Sequence, residues 1–95
     1  MRVVWTPLAI ADLAAARAFI APDSPANAMR LVERIAHAVT VLLTENPTIG
    51  RPGRQSGTRE LVIPRTPYLA PYRIKGDEIQ ILRIYHGARR WPERL

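Results

Sequence analysis

Apolar residues recur along this chain in two rhythms. Ala28, Leu31, Val32, Ile35, Val39, Leu42 and Leu43 keep a period of about 3.6 residues, the spacing of one helix face. Asp23-Ser24-Pro25 ahead of them is a start signal, and Asn46-Pro47 is a stop, because proline disfavours helical geometry in the residue before it. A shorter helix is expected over residues 7–20. There Thr6 and Pro7 offer a cap and a first helical position, and Leu13, Ala16 and Ile20 share a face, leaving Asp12 and Arg17 for the other. Before it, Val3-Val4-Trp5 has the β-branched and aromatic character of a strand.

After residue 58 the rhythm changes. Leu61-Val62-Ile63, Tyr68 to Lys75 and Glu78 to Tyr85 read as three extended runs, the last two joined by Gly76-Asp77, a pair suited to a two-residue hairpin turn. Residues 47–58, with Pro47, Gly50, Pro52, Gly53 and Gly57, read as a loop. Continuing the hairpin register pairs Ile74 with Ile79, Tyr72 with Ile81, Leu69 with Ile84 and Tyr68 with Tyr85. One face then carries Tyr68, Ala70, Tyr72, Ile74, Ile79, Ile81, Arg83 and Tyr85 to receive the helices. The other carries Leu69, Pro71, Arg73, Lys75, Gln80, Leu82, Ile84 and His86 and stays open. The expectation is a single domain over residues 1–95, an α+β, two-layer fold with two N-terminal helices on one face of an antiparallel sheet, in the order β-α-α-β-β-β.

Composition narrows the chemistry. The chain has 95 residues and a net charge of +6, and its lack of cysteine removes thiolate nucleophiles, disulfides and cysteine zinc sites. Two histidines, His37 and His86, are too few for an all-protein zinc site, so neither metal nor cofactor is expected. No run reaches the length of a membrane span and the N-terminus carries no export pattern, which together suggest a cytoplasmic protein without membrane contact. Residues 1–50 hold four cations and four anions, whereas residues 51–95 hold ten and four, so the whole excess lies in the second half. All the cations but Lys75 are arginine. This asymmetry points to a polyanion or an acidic partner on one side of the molecule.

The order of elements, together with several local stretches, resembles the RelE/ParE toxins of bacterial type II toxin–antitoxin systems over nearly the whole chain. The stretches are Trp5-Thr6-Pro7 with Ala11-Asp12-Leu13, Glu45-Asn46-Pro47 with Ile49-Gly50-Arg51-Pro52, Arg59-Glu60-Leu61, and Tyr85-His86-Gly87-Ala88-Arg89-Arg90-Trp91-Pro92. The resemblance implies a RelE/ParE-like fold and a growth-inhibiting protein held by a cognate antitoxin in a hetero-oligomer. The basic strands and tail suit an antitoxin that is acidic and partly disordered when free. One branch of the family cleaves mRNA on the ribosome, and another poisons DNA gyrase.

RNA cleavage through a 2′-hydroxyl needs a proton acceptor, a proton donor for the leaving oxygen and cations at the phosphate. The resemblance places these cations on the first strand after the helices and on the next strand. The matching positions here are Glu60, Val62 and Leu69, so the expected cations are missing. A catalytic set for the nuclease alternative is therefore assembled from Glu60, Arg73, His86 and Arg89. The plainer roles are an ion pair for Glu60, a hydrogen-bonded structural ring for His86, a packed side chain for Arg83, a surface or interhelical position for His37, and packing anchors in Trp5 and Trp91. Apolar residues on the open face suit a partner chain instead. Val62, Leu69, Pro71, Leu82 and Ile84, with Arg89, Arg90 and Trp91 beside them, form the expected antitoxin-binding surface. The leading reading is a ParE-like toxin acting on gyrase. The alternatives are a RelE-like, ribosome-dependent mRNA endonuclease and a plain interaction or nucleic-acid-binding module.

Overall fold

The computed structural model describes residues 1–88. It runs β1 (Arg2–Trp5), α1 (Pro7–Ile20), α2 (Pro25–Glu45), β2 (Arg51–Pro52), β3 (Arg59–Val62), β4 (Tyr68–Lys75), β5 (Glu78–Ile81) and β6 (Tyr85–His86). Both helices begin as their sequences direct. Thr6 Oγ1 accepts from the Ala9 N–H and Ser24 Oγ from the Asn27 N–H, each with a proline following. The strands form one sheet in the order β1-β5-β4-β3-β2, and β6 also pairs with β4. All neighbours are antiparallel except β1 and β5, so the sheet is mixed. The two residues of β2 extend it into the stretch read as loop.

The core lies between the helices and one sheet face. Ala9, Ala16, Ile35, Val39 and Leu43 from the helices meet Leu61, Ala70, Tyr72, Ile79 and Ile81 from the sheet, with Trp5 packed against them. Tyr72 is fully buried and polar at its tip. Its hydroxyl donates to the Pro47 carbonyl at 2.8 Å and accepts from the Gly50 N–H at 2.9 Å, tying the loop after α2 to the sheet. Gly50 is required there, because a Cβ would lie 2.6 Å from the Tyr72 ring. Burial raises the Tyr72 hydroxyl above its usual pKa, partly opposed by the Gly50 hydrogen bond and the nearby Arg59 charge.

The hairpin register holds as far as Tyr72↔Ile81 and then slips by one residue. Beyond it Leu69 pairs with Tyr85 and Tyr68 with His86. The slip is a β-bulge, since the N–H groups of Leu82 and Arg83 both reach the Pro71 carbonyl, at 2.9 and 3.5 Å. Pro71 accounts for its position. In an unbroken ladder Pro71 and Leu82 would exchange two bonds, but proline has no N–H, and a proline in a central strand is tolerated where pairing is interrupted. The Leu82 carbonyl finds its donor elsewhere. Thr6 Oγ1 reaches it at 3.0 Å and the Ile81 carbonyl at 2.8 Å.

The bulge corrects three expected positions. Ile84 is in the helix-side core instead of on the open face. His86 stands edge-on to Tyr68, which belongs to that core, and Tyr85 is the residue opposite Leu69. A one-residue shift exchanges the faces of everything that follows it.

Candidate functional site

The sheet face away from the helices divides into two parts. Its polar part is a chain of side-chain bonds across three strands. Arg2 Nη2 pairs with Glu78 Oε2 at 2.7 Å, Gln80 Nε2 donates to Glu78 Oε1 at 3.2 Å, and Arg73 Nε donates to Gln80 Oε1 at 2.7 Å. The register makes these neighbours, with Arg2 opposite Glu78 and Arg73 opposite Gln80.

The second part is mainly apolar. Val62 faces Leu69 and Glu60 faces Pro71 across β3 and β4. Leu69 and Pro71 are buried, while Val62 is 51% exposed. Glu60 is the one charged residue that is buried among those described, with 3% exposure. Both of its carboxylate oxygens are bonded. Oε1 accepts from Arg51 Nε at 3.3 Å and Nη2 at 3.2 Å, and Oε2 accepts from the Arg54 N–H at 3.0 Å. Burying a carboxylate is costly unless such partners replace its water, and the antiparallel pairing of Arg51 with Glu60 brings the guanidinium there. The expected ion pair of Glu60 with a neighbouring arginine is therefore present, and the arginine is Arg51. Arg59 Nη1 donates to the carbonyls of Thr48 and Gly50.

The proposed cleavage set does not converge. Glu60 lies opposite Pro71 on the open face, whereas His86 lies opposite Tyr68 on the helix side. His86 Nδ1 accepts from the Ala88 N–H at 3.1 Å. Arg73 is bonded within the polar chain, and Arg89, Arg90 and Trp91 fall outside the described residues. No group of three potential metal ligands occurs among the described residues.

Two features escaped the sequence reading. Asp12 faces the sheet and not solvent, accepting from Arg83 Nε at 2.7 Å, Arg83 Nη2 at 3.0 Å and the Ile84 N–H at 3.1 Å. That bond holds the Arg83 guanidinium above its ordinary pKa, against the lowering effect of burial. Asp12 also borders a cleft of about 260 Å³ lined by Ala15, Ala16, Tyr68 and His86. A signal existed, since Asp12 is three residues after Ala9 and four before Ala16, both buried. The second feature is Thr6, legible as a helix cap but not as the donor to strand carbonyls seventy-five residues later.

Known proteins match this arrangement along most of the chain. The family model described as ParE toxin of type II toxin-antitoxin system, parDE, matches residues 3–91. The candidate toxin Y4kP of Sinorhizobium fredii is 45% identical over 94 residues, 99% of this chain and 96% of its own. Toxin RelE2 of Caulobacter vibrioides is 38% identical over 88 residues, covering 93% and 97%. A solved structure described as the chromosomal ParDE TA system from P. aeruginosa has a TM-score of 0.83 at 40% identity, covering 90% of this chain and 95% of that one. With two capped helices on a mixed sheet and a family match from end to end of the described fold, the chain belongs to the ParE toxins of type II toxin–antitoxin systems.

Proposed function

We propose that this toxin inhibits growth by binding a protein target, DNA gyrase, and is neutralised by a cognate antitoxin that covers the open sheet face. The observation that carries the reading is the closed state of Glu60. Both of its oxygens are taken by Arg51 and by the Arg54 N–H, and its cross-strand neighbour is Pro71. A carboxylate so held is only 3% exposed and is turned toward Arg51 and the Arg54 backbone, so a 2′-hydroxyl has little access to it. His86, on the opposite side of the sheet, does not complete it. The surface around Glu60 suits an apolar stripe from a partner chain: Val62, Leu69, Pro71 and Leu82 would receive it, and Arg89, Arg90 and Trp91, outside the described residues, are proposed to contact the same partner. The antitoxin is acidic and partly disordered when free, and its complex with the toxin is a hetero-oligomer. The ParDE description of the related solved structure supports such a partner. Cytoplasmic action belongs to the same proposal; no described helix is long and apolar enough to cross a membrane.

The relative named RelE2 favours the second reading, mRNA cleavage on the ribosome. Inducible expression with mapping of mRNA 5′ ends, beside a supercoiling assay with purified gyrase, separates the two. Inhibited supercoiling with intact messages is the expected result. Codon-phased cuts that vanish in Glu60→Ala or His86→Ala would overturn it.

A further inference from the structure

Three arginines and a histidine gather on the helix layer, away from the open face. Arg30, Arg34 and His37 follow one another at spacings of four and three on α2 and so share one exposed stripe. Arg65, from the turn between β3 and β4, joins them. Together with Glu33 these four residues surround a cleft of about 350 Å³. Arg34, His37 and Arg65 also border a smaller pocket of about 140 Å³ walled by Ala38, Val41, Leu42 and Pro64. Clustered like charges repel; Arg30 Nη2 donates to Asn27 Oδ1 on its own helix, and none of the ion pairs Arg2–Glu78, Arg51–Glu60 and Arg83–Asp12 involves this cluster.

Arg65 adds a second, independent observation. Thr66 N–H donates to the Ile63 carbonyl at 3.3 Å, closing a four-residue turn with Pro64 in second place and Arg65 in third. Arg65 has φ +62°, the single positive value outside glycine among the described residues. Glycine is the usual residue at such a position, since a side chain there crowds the backbone. A strained backbone that presents an exposed guanidinium to two other arginines is accounted for if that guanidinium binds something.

We propose that this cluster docks an acidic segment of a partner protein. Its carboxylates meet Arg30, Arg34 and Arg65, and one apolar side chain enters the pocket walled by Ala38, Val41, Leu42 and Pro64. A peptide fits better than a nucleic acid, because the apolar pocket offers a place for an anchoring side chain that a phosphate backbone lacks. The surface is separate from the open sheet face and does not depend on its assignment.

The test is an NMR titration of the ¹⁵N-labelled full chain with a synthetic peptide of glutamates carrying leucine at every fourth position. A single-stranded oligothymidylate and inorganic phosphate are titrated in parallel. The peptide is expected to shift Arg30, Arg34, His37 and Arg65 saturably and more weakly as salt rises. Arg65→Gly and Arg34→Gln should each weaken it about threefold to fivefold. Arg65→Gly should melt no lower than the parent, because glycine suits the turn, which separates lost binding from lost folding. Shifts confined to the open face, undiminished binding by Arg65→Gly, or saturation of the same resonances by the oligonucleotide or phosphate at equal or lower concentration would each overturn the proposal.

Discussion

Asp12 and Tyr72 each hold together parts of the chain that lie far apart in sequence, and each can be tested by removing a single atom or charge. Asp12→Asn keeps the shape but leaves the Arg83 guanidinium, with a side chain only 18% exposed, facing a neutral amide. The expected loss is about 2 kcal/mol, read as a lower denaturant midpoint with an unchanged slope. Tyr72→Phe leaves the buried Gly50 N–H without its acceptor and should cost about 1–3 kcal/mol. The same residue governs alkaline behaviour. Its hydroxyl has a raised pKa in the folded state, so the folded chain binds the proton more tightly than the unfolded one. The corresponding stability is present below the usual tyrosine value of 10.0 and is lost as pH climbs through the raised value. Stability measured from pH 8 to 11 should therefore fall more steeply for the parent than for Tyr72→Phe. An equal slope would assign the alkaline loss to other groups.

At the level of elements, both helices, the turn at Gly76-Asp77 and the strand from Tyr68 to Lys75 were legible, because each rests on local signals: caps, prolines and periodicity. The final strand was not. Its alternation suggested one run through Tyr85, and nothing in that run announces a bulge; the cause sits eleven residues earlier, in the missing N–H of Pro71. The same gap makes Thr6 a junction between three elements. Its hydroxyl caps α1 and serves the carbonyls of Ile81 and Leu82, at the end of β5 and the start of the bulge. Thr6→Val keeps the volume and removes the oxygen, leaving the Ala9 N–H and the Leu82 carbonyl unserved. A loss of about 2 kcal/mol is expected in thermal or denaturant unfolding, larger than that of a helix cap alone. A loss under 1 kcal/mol would mean that solvent reaches those carbonyls.

For the whole molecule, the candidate site was half legible. Leu69 and Pro71 were assigned to the open face from alternation, and the pairing of β3 with β4 sets Val62 beside Leu69 there. Ile84 and His86 were misplaced because their assignment ran through the unseen bulge, and the closure of Glu60 depends on β2, which reads as loop. Exposure now selects the better probe of partner binding. Leu69→Asp would disturb folding, since Leu69 is buried, whereas Val62→Asp places its charge on a half-exposed edge. It should weaken antitoxin binding at least tenfold in a titration with an unchanged melting temperature. Unchanged affinity would move the antitoxin off this face. A last consequence follows from the parallel pairing of β1 with β5. β1 is completed by a strand that begins at Glu78, 76 residues after Arg2, and closing so distant a contact is slow. Interrupted synthesis would yield helices without a finished sheet. In a protein whose purpose is to harm, the capacity to do so is withheld until residues 78–81 have joined its first strand.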